Sequence, residues 1–171
     1  MAKNDKVTIG ANTFVHVDGV SRPVPAKVDT GADGTSLWAS DLRIGSDNSL
    51  YFKYFGPSSP LYDGKEHHRK EYRVVKITSS TGHSQIRFQI KQKLKIGGKN
   101  IVAWCSLTDR SNRNFPMLIG KRTLNGRFLV DVSDSEVKIT NNKGPSFHEL
   151  FLQNPDEILD QYRSEKAEDV E

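Results

Sequence analysis

The sequence contains one short run, Asp29-Thr30-Gly31, whose residue types are suited to acid–base chemistry. It directly follows the apolar stretch Val24–Val28, so the carboxylate is expected on a tight loop at the end of a buried strand. Glycine lets the backbone approach a neighbour closely, and the threonine hydroxyl can form a hydrogen bond to another loop. Because a three-residue run is a weak signal, an ordinary turn is also compatible with it.

A second apolar run, far along the chain, ends in glycine. The run Phe115-Pro116-Met117-Leu118-Ile119-Gly120 is predicted to be a strand, and the short helical pattern Lys121–Leu124 follows it. An aspartate loop combined with a distant strand, glycine and helix favours a functional interpretation of Asp29 over a plain turn.

Period-two alternation predicts strands over most of the chain before the tail. Apolar residues from Ile86 to Ile96 alternate with polar and basic ones, which is typical of a long half-buried strand. Gly97-Gly98 predicts a turn into an antiparallel partner at 101–107, and the polar segment 79–83 joins the long strand to one at 71–78. Shorter strands are expected at 6–9, 13–17, 24–28, 128–132 and 137–139, and a loop-rich insertion at 44–68.

The blocks and their order across residues 5–133 resemble the retropepsins, the single-domain aspartic proteases. In that family an Asp-Thr-Gly-Ala loop precedes a flap hairpin, a long strand, a second hairpin and an apolar strand that ends in glycine. The chain is most similar to bacterial retropepsin-like proteins often named ATP-dependent zinc proteases, which are associated with glutamate ligases that modify a ribosomal protein. The matching blocks are Lys27-Val28-Asp29-Thr30-Gly31-Ala32, Thr35-Ser36-Leu37, Leu107-Thr108-Asp109-Arg110-Ser111, Phe115-Pro116-Met117-Leu118-Ile119-Gly120 and Phe128-Leu129-Val130-Asp131. One departure is Lys121, where the family usually has arginine directly after the glycine.

The resemblance implies a mainly β fold, a closed retropepsin-like β-barrel or sandwich over residues 1–144. A flap hairpin and long strand are expected at 71–96, and a short helix after the second apolar strand that ends in glycine. An acidic helical tail is expected at 145–171, because Ser146 with Glu149, and then Asn154-Pro155, are capping signals for two short helices.

The resemblance further implies an aspartic endopeptidase, in which two carboxylates share a proton and activate a water. The chain has one Asp-Thr-Gly and no internal repeat, so the second carboxylate must come from Asp29 of a second copy in a homodimer. The expected catalytic loop is Asp29, Thr30 and Gly31. The expected substrate-binding residues are Ala32, Ser79, Ser80, Thr81, Gly82 and His83 of the loop and flap, together with Ile119.

Other candidate residues are given mainly structural interpretations. Asp131 lies in a strand with no Thr-Gly after it, and Asp109-Arg110 is interpreted as a buried ion pair, with a substrate contact as the alternative. The single Cys105 lies in an apolar strand and is expected to be a buried, inert thiol.

No metal and no cofactor are expected, in spite of the zinc and ATP in the family's common name. The chain lacks His-Glu-x-x-His, and its only adjacent histidines are His67 and His68 in the insertion. Gly97-Gly98-Lys99 is interpreted as a turn and not as a phosphate-binding loop.

Charge is unevenly distributed along the chain. Residues 1–148 carry 23 Lys and Arg against 13 Asp and Glu, whereas residues 149–171 carry 2 against 8. A peptide or protein substrate of acidic character is therefore one expectation, and ordinary solubilising surface charge is the alternative. The sequence shows no membrane span and no secretion signal, so a cytoplasmic location is expected.

Two other functions remain open at this point. The first is a non-catalytic peptide-binding or assembly module that keeps the retropepsin fold and dimer. The second, a nucleic-acid binder based on the basic body, is disfavoured because the chain has no recognised binding motif and no aromatic and basic interleaving along one strand face.

Overall fold

The computed structural model describes residues 6–78 and 81–138, so the tail expected at 145–171 lies outside the described residues. Within those two ranges, strands dominate and a single short helix is present. The elements are β1 (Val7–Gly10), β2 (Asn12–Val17), β3 (Val24–Val28), β4 (Thr35–Ile44), β5 (Leu50–Tyr54), β6 (Glu66–Arg69), β7 (Tyr72–Thr78), β8 (Ser84–Ile96), β9 (Lys99–Thr108), β10 (Met117–Ile119), α1 (Lys121–Leu124) and β11 (Phe128–Asp131).

Six of these strands close into a barrel. They follow the order β10-β3-β2-β8-β9-β4, and β10 also pairs with β4, which completes the ring. Strands β5 and β6 extend the sheet beyond β4, β7 pairs with β8, and β1 and β11 form a separate two-stranded parallel sheet. The expected mainly β, retropepsin-like barrel with a short helix after β10 is confirmed.

The barrel interior is filled by alternate residues of each strand, as the pleat of a β-strand requires. In β2, for example, Val15 and Val17 are buried whereas Phe14 and His16 are exposed. Cys105 of β9 is fully buried, and this burial raises the pKa of its thiol to about 12. The expectation of a buried thiol is therefore confirmed.

The segment 44–68 differs from the loop-rich insertion that the sequence predicts. It contains β5 and β6, which pair with each other, and β5 also pairs with β4. Phe52 and Phe55 are among the largest fully buried side chains, and the rings of Phe52 and Tyr54 make an edge-on contact with centroids 5.1 Å apart. The segment is thus part of the hydrophobic core, and its aromatic residues are core residues.

Two further strand predictions need correction. Strand β4 was not expected, because its first five residues are all buried and show no alternation. The predicted strand 137–139 is absent at Val137 and Lys138, which lie in irregular backbone, while residue 139 lies outside the described ranges. The Val137 amide instead donates a hydrogen bond to the Asn12 side-chain oxygen at 2.7 Å.

The helix content of the described part is limited to α1, which spans four residues. In the described residues, therefore, no helix has the length and apolar character needed to cross a membrane.

Candidate active site

The position of Asp29 is fixed by the pairing of β3 with β10. These two strands run parallel, with Val28 opposite Ile119. The next backbone amide, that of Asp29, donates a hydrogen bond to the Ile119 carbonyl at 2.9 Å. The loop that bears Asp29 therefore begins at a point held by β10.

The Asp29 carboxylate is half-buried and is oriented by its own loop. Its Oδ1 atom accepts hydrogen bonds from the amides of Gly31 at 3.0 Å and Ala32 at 3.2 Å. In the described part of the chain, Oδ2 has no hydrogen-bond partner, so one oxygen is anchored and the other is available to a water or a second carboxyl group.

Helix α1 is attached to the far side of the same loop. The amides of Lys121 and Arg122 donate to the carbonyls of Ala32 and Asp33 at 2.7 and 3.0 Å. The Lys121 ammonium group also forms an ion pair with the Asp33 carboxylate at 3.0 Å, and this hydrogen bond and charge lower the pKa of Asp33. Lys121, the one departure from the pattern of the resemblance, thus still anchors the helix to the loop.

Buried hydroxyl groups join the end of the loop to the helix. The Thr35 Oγ1 atom accepts a hydrogen bond from the Gly120 amide at 3.1 Å and lies 2.7 Å from the Thr123 Oγ1 atom. Thr35 and Thr123 are both buried. The loop therefore belongs to a rigid unit with β4, β10 and α1.

Thr30 faces outward from this unit. It is exposed, and its hydroxyl group has no hydrogen-bond partner in the part of the chain that the structure describes. It borders an open cavity of about 520 Å³, whose lining also includes Leu124, Phe128 and Val130. Thr30 therefore lies at an open edge of the loop that carries Asp29.

The flap residues lie on another element, the hairpin of β7 and β8. Thr81, Gly82 and His83 form its described tip, whereas Ser79 and Ser80 lie outside the described residues. Strand β9 pairs with β8 only from Phe88 onward, so the outer half of the hairpin extends beyond the barrel as an arm. Gly82 has a φ of +83°, a value that glycine adopts readily in such a turn.

Ile119 does not have the role expected from the sequence. Its side chain is 0% exposed and packs in the core, so it cannot contact a peptide in the cleft. Residues alternate along a strand, and the neighbouring Leu118 is the half-buried residue of β10. What Ile119 contributes to the site is its backbone carbonyl, which accepts the Asp29 amide.

The pair Asp109-Arg110 does not form the expected ion pair in the described structure. Asp109 is exposed and accepts hydrogen bonds from the amide and hydroxyl of Ser111. Arg110 is half-buried and donates to the Phe115 carbonyl at 2.9 Å and to the Ser36 hydroxyl at 3.0 Å.

A cluster of arginines around Arg110 was not anticipated. Burial, followed by the charges of Arg113 and Arg87, lowers the pKa of Arg110 to about 10. These three residues come from the arm and from the loop after β9, so their spacing in the sequence gives no signal of the cluster.

The remaining candidates lie away from the loop. Asp131 is exposed at the end of β11, where the Ser133 amide and hydroxyl donate to its carboxylate and lower its pKa. His67 stacks against Phe52, and His68 stacks against Tyr51. Across residues 6–78 and 81–138, no three His, Cys, Asp or Glu side chains converge in a way that could hold a metal ion.

Comparison with proteins of known sequence identifies similar chains among curated proteins that carry the name of a probable ligase. A protein from Shewanella pealeana named probable alpha-L-glutamate ligase is 28% identical over 136 residues, covering 77% of this chain and 30% of that protein. A protein of the same name from Parasynechococcus marenigrum is 25% identical over 134 residues, covering 76% and 29%. The chain thus spans only about a third of the length of these relatives.

Comparison with solved structures supports the fold. A Legionella pneumophila protein of unknown function matches with a TM-score of 0.58 and 21% identity, over 77% of this chain and 97% of that one. The family model described as RimB-like, retropepsin-like aspartic endopeptidase RimB, matches residues 8–141, which contain the Asp29 loop, the arm and helix α1. The chain therefore belongs to the RimB-like family of retropepsin-like proteins.

Proposed function

We propose that the protein is an aspartic endopeptidase that acts as a homodimer, with the Asp29 carboxylates of two copies activating one water. The observation that carries this proposal is the Asp29 loop itself. One carboxylate oxygen is held by the Gly31 and Ala32 amides and the other is available, on a loop fixed by β10 and α1. This is the half of a carboxylate pair that one protomer can supply.

A second carboxylate from the same loop is a poor candidate for the pair. Asp33 follows Asp29 closely, but it is engaged by Lys121, which favours its ionised form. Hydrolysis by an aspartyl pair requires one carboxyl group that is protonated and one that is ionised. A second Asp29, related by a twofold axis, meets this requirement because two like charges in contact share one proton.

Exposed surface near the loop supports the dimer. Leu129 and Val132, in and just after β11, are 53% and 80% exposed. Thr30 and the cavity beside Phe128 open on the same edge. A second copy that docks there would cover apolar residues and give the Thr30 hydroxyl a hydrogen-bond partner.

The arm has the features of a cover for bound substrate. Val74 and Ile86 are 55% and 69% exposed, and the register of β7 with β8 places them on one face with Phe88. Large apolar residues at an extended hairpin are stabilised when a peptide or a second arm lies against them. Closure of the arm would also exclude bulk water from the Asp29 pair.

The arginine cluster of Arg87, Arg110 and Arg113 supports an acidic peptide or protein as substrate. Arg110 is half-buried beside Ser36, and no carboxylate of the described residues pairs with it. A guanidinium group without a counter-charge is stabilised by an anionic ligand. The single, buried Cys105 is consistent with a reducing compartment, and we place the activity in the cytoplasm.

A non-catalytic binding module is the second candidate. The curated relatives are named ligases, and the chain matches only part of their length. In such a protein this domain could hold a peptide for another part of the chain without cleaving it. Nucleic acid remains the disfavoured ligand.

Incubation with a random peptide library, read by mass spectrometry, tests the proposal. Wild-type protein is expected to cleave peptides, and Asp29→Asn is expected to lower the rate by on the order of 10²–10⁴-fold. The exposed carboxylate of Asp47, in the turn between β4 and β5, provides a matched control, and Asp47→Asn is expected to retain activity. Equal cleavage by wild type and Asp29→Asn would exclude the aspartyl mechanism.

The pH profile separates this mechanism from a metal-dependent one. A shared-proton pair is active only between its two apparent pKa values, so the rate is expected to be bell-shaped with an optimum below neutrality. A rate that rises steadily to about pH 9 and is abolished by a chelator would indicate a metal-bound hydroxide instead.

A further inference from the structure

A small pocket lined by three arginines lies beside the active-site loop. It has a volume of about 220 Å³, and Arg73, Arg122 and Arg127 line it together with Gly34, Gln89 and Trp104. Pockets for whole small molecules usually measure roughly 300–1,000 Å³, so this one is the size of a single side chain. No acidic residue is among those that line it.

The guanidinium groups of the pocket are held in place from different directions. Arg73 lies over the Trp104 ring, with its Cζ atom 3.8 Å from the ring centroid. Arg127 donates through Nη1 to the carbonyls of Arg122 and Thr123 at the end of α1. Stacked or hydrogen-bonded arginines lose little freedom when a carboxylate binds to them.

The arginines of the pocket form no ion pair with a carboxylate of the described residues. Within residues 6–78 and 81–138, neither Arg73 nor Arg122 forms an ion pair closer than 4 Å or donates a side-chain hydrogen bond. Asp33, whose carboxylate also interacts electrostatically with Arg122, pairs with Lys121 at 3.0 Å, and Glu71, just before β7, pairs with Lys91 at 2.6 Å. Unpaired arginines in a recess are suited to bidentate recognition of a carboxylate.

The pocket is continuous with the loop that carries Asp29. Gly34 belongs to that loop, and the amide of Arg122 donates to the Asp33 carbonyl next to it. Gly34 follows Asp29 by five positions, so the pocket wall begins at most about 18 Å from Asp29 along the chain. An extended peptide rises by about 3.3 Å per residue, so it would reach the pocket within about five residues of the scissile bond.

We propose that this pocket, formed by Arg73, Arg122 and Arg127, is a subsite that binds one Asp or Glu side chain of the substrate, away from the bond that is cleaved. The proposal rests on the peptidase function and adds the residues that select the substrate. In a twofold dimer the pocket occurs twice, once on each side of the two Asp29 loops. Peptides with an acidic residue on both sides of the scissile bond therefore engage both pockets.

The test compares a cleaved parent peptide with variants in which each Glu within five residues of the cut is replaced by Gln. For wild type, kcat/KM is expected to be about tenfold higher with Glu than with Gln at the pocket-binding position, the effect of one charge-assisted contact. In the double variant Arg73→Gln/Arg122→Gln this ratio is expected to fall close to one. Arg73→Lys keeps the charge and is expected to retain part of the preference.

Lys95→Gln is the matched control, because it removes one exposed positive charge from β8, opposite His16 and Asn100. It is expected to keep the wild-type preference for Glu at the same ionic strength. An equal loss of the Glu preference in Lys95→Gln and in the arginine variants would show that the preference comes from the overall positive charge of the protein. That result would overturn the proposed subsite. An unchanged ratio in the double variant would overturn it as well.

Binding to the Asp29→Asn protein separates failure of the subsite from failure of the peptidase function. Fluorescence anisotropy with labelled Glu and Gln peptides is expected to show tighter binding of the Glu peptide, and Arg73→Gln/Arg122→Gln is expected to abolish the difference. This result in a protein that cleaves no peptide would retain the subsite and refute the peptidase. Cleavage without any Glu preference in binding or turnover would retain the peptidase and refute the subsite.

Discussion

Gly120 packs directly against the backbone of Gly34. A Cβ atom at position 120 would lie 2.3 Å from the Gly34 carbonyl oxygen and 2.9 Å from the Ala32 carbonyl oxygen. The φ of Gly120 is −94°, a value that any residue can adopt, so glycine is required by space and not by backbone conformation. The backbone of the Asp29 loop is therefore in direct contact with the backbone at the start of α1, with no side chain between them.

Gly120→Ala is expected to destabilise the fold, because either the loop or the helix must move to admit the methyl group. A loss of about 1–3 kcal/mol, with loss of peptide cleavage, is expected from overpacking of this kind. Urea denaturation monitored by tryptophan fluorescence measures it. Gly34→Ala is the control, since a Cβ there meets nothing within 4 Å, and comparable destabilisation by the two variants would contradict this account.

Thr30→Val is expected to weaken the dimer without changing the stability of the protomer. Thr30 is exposed and has no hydrogen-bond partner in the described ranges, so valine removes nothing within one copy. Loss of a hydrogen bond from each protomer would raise the dimer dissociation constant by roughly tenfold or more. Sedimentation analysis measures this change. Thr30→Ser keeps the hydroxyl and is expected to dimerise more tightly than Thr30→Val. An equal dimer dissociation constant for the two variants would show that the Thr30 hydroxyl forms no hydrogen bond across the dimer.

The packing of His67 predicts a stability that depends on pH. Its ring lies 4.6 Å from that of Tyr54 between centroids, and burial, followed by the charge of Arg69, lowers its pKa from 6.5 although Asp63 opposes the shift. The unfolded chain then binds the His67 proton more tightly than the folded one. The contribution of His67 to the free energy of unfolding is therefore fully present above about pH 6.5, and it declines as the pH falls below that value. The contribution is lost once the pH is below the pKa of His67 in the folded protein.

The variant His67→Phe keeps a ring in the stack but cannot be protonated. Urea midpoints at about pH 7.5 and about pH 5.5 are expected to differ less in this variant than in wild type. An identical pH dependence in the two proteins would assign the effect to other groups.

The sequence predicts the elements with clear periodicity and the loop with a distinctive residue order. Strand β8 alternates between buried and exposed residues from Ile90 to Ile96, because one face is covered by the core and the other is open to solvent. The Asp29 loop and β10 were found in two separated blocks, and the structure pairs them through Val28 and Ile119.

Features that depend on three-dimensional neighbours were not predictable in this way. Gly45 and Gly56-Pro57 are typical of loops, so the sequence did not predict the five-residue strand β5 between them. Its place in the fold depends on pairing with β4, which the sequence pattern does not show. The assignment of Ile119 to the cleft failed because a motif does not show which face of a three-residue strand points inward. The arginine pocket joins side chains from β7, α1 and the residue before β11, which no local pattern connects.

The parallel pairings around the active site have a consequence for the order of folding. The Asp29 loop is held by β10, and β1 is paired with β11. Segments near the start of the chain therefore pair with segments about 90 to 120 residues further along it. Contacts between such distant segments form slowly, because a large loop must close before they contribute stability. A chain still being synthesised therefore cannot assemble the Asp29 loop until the segment through β10 and α1 has emerged. The peptidase activity proposed above would thereby be delayed until almost the whole barrel is complete.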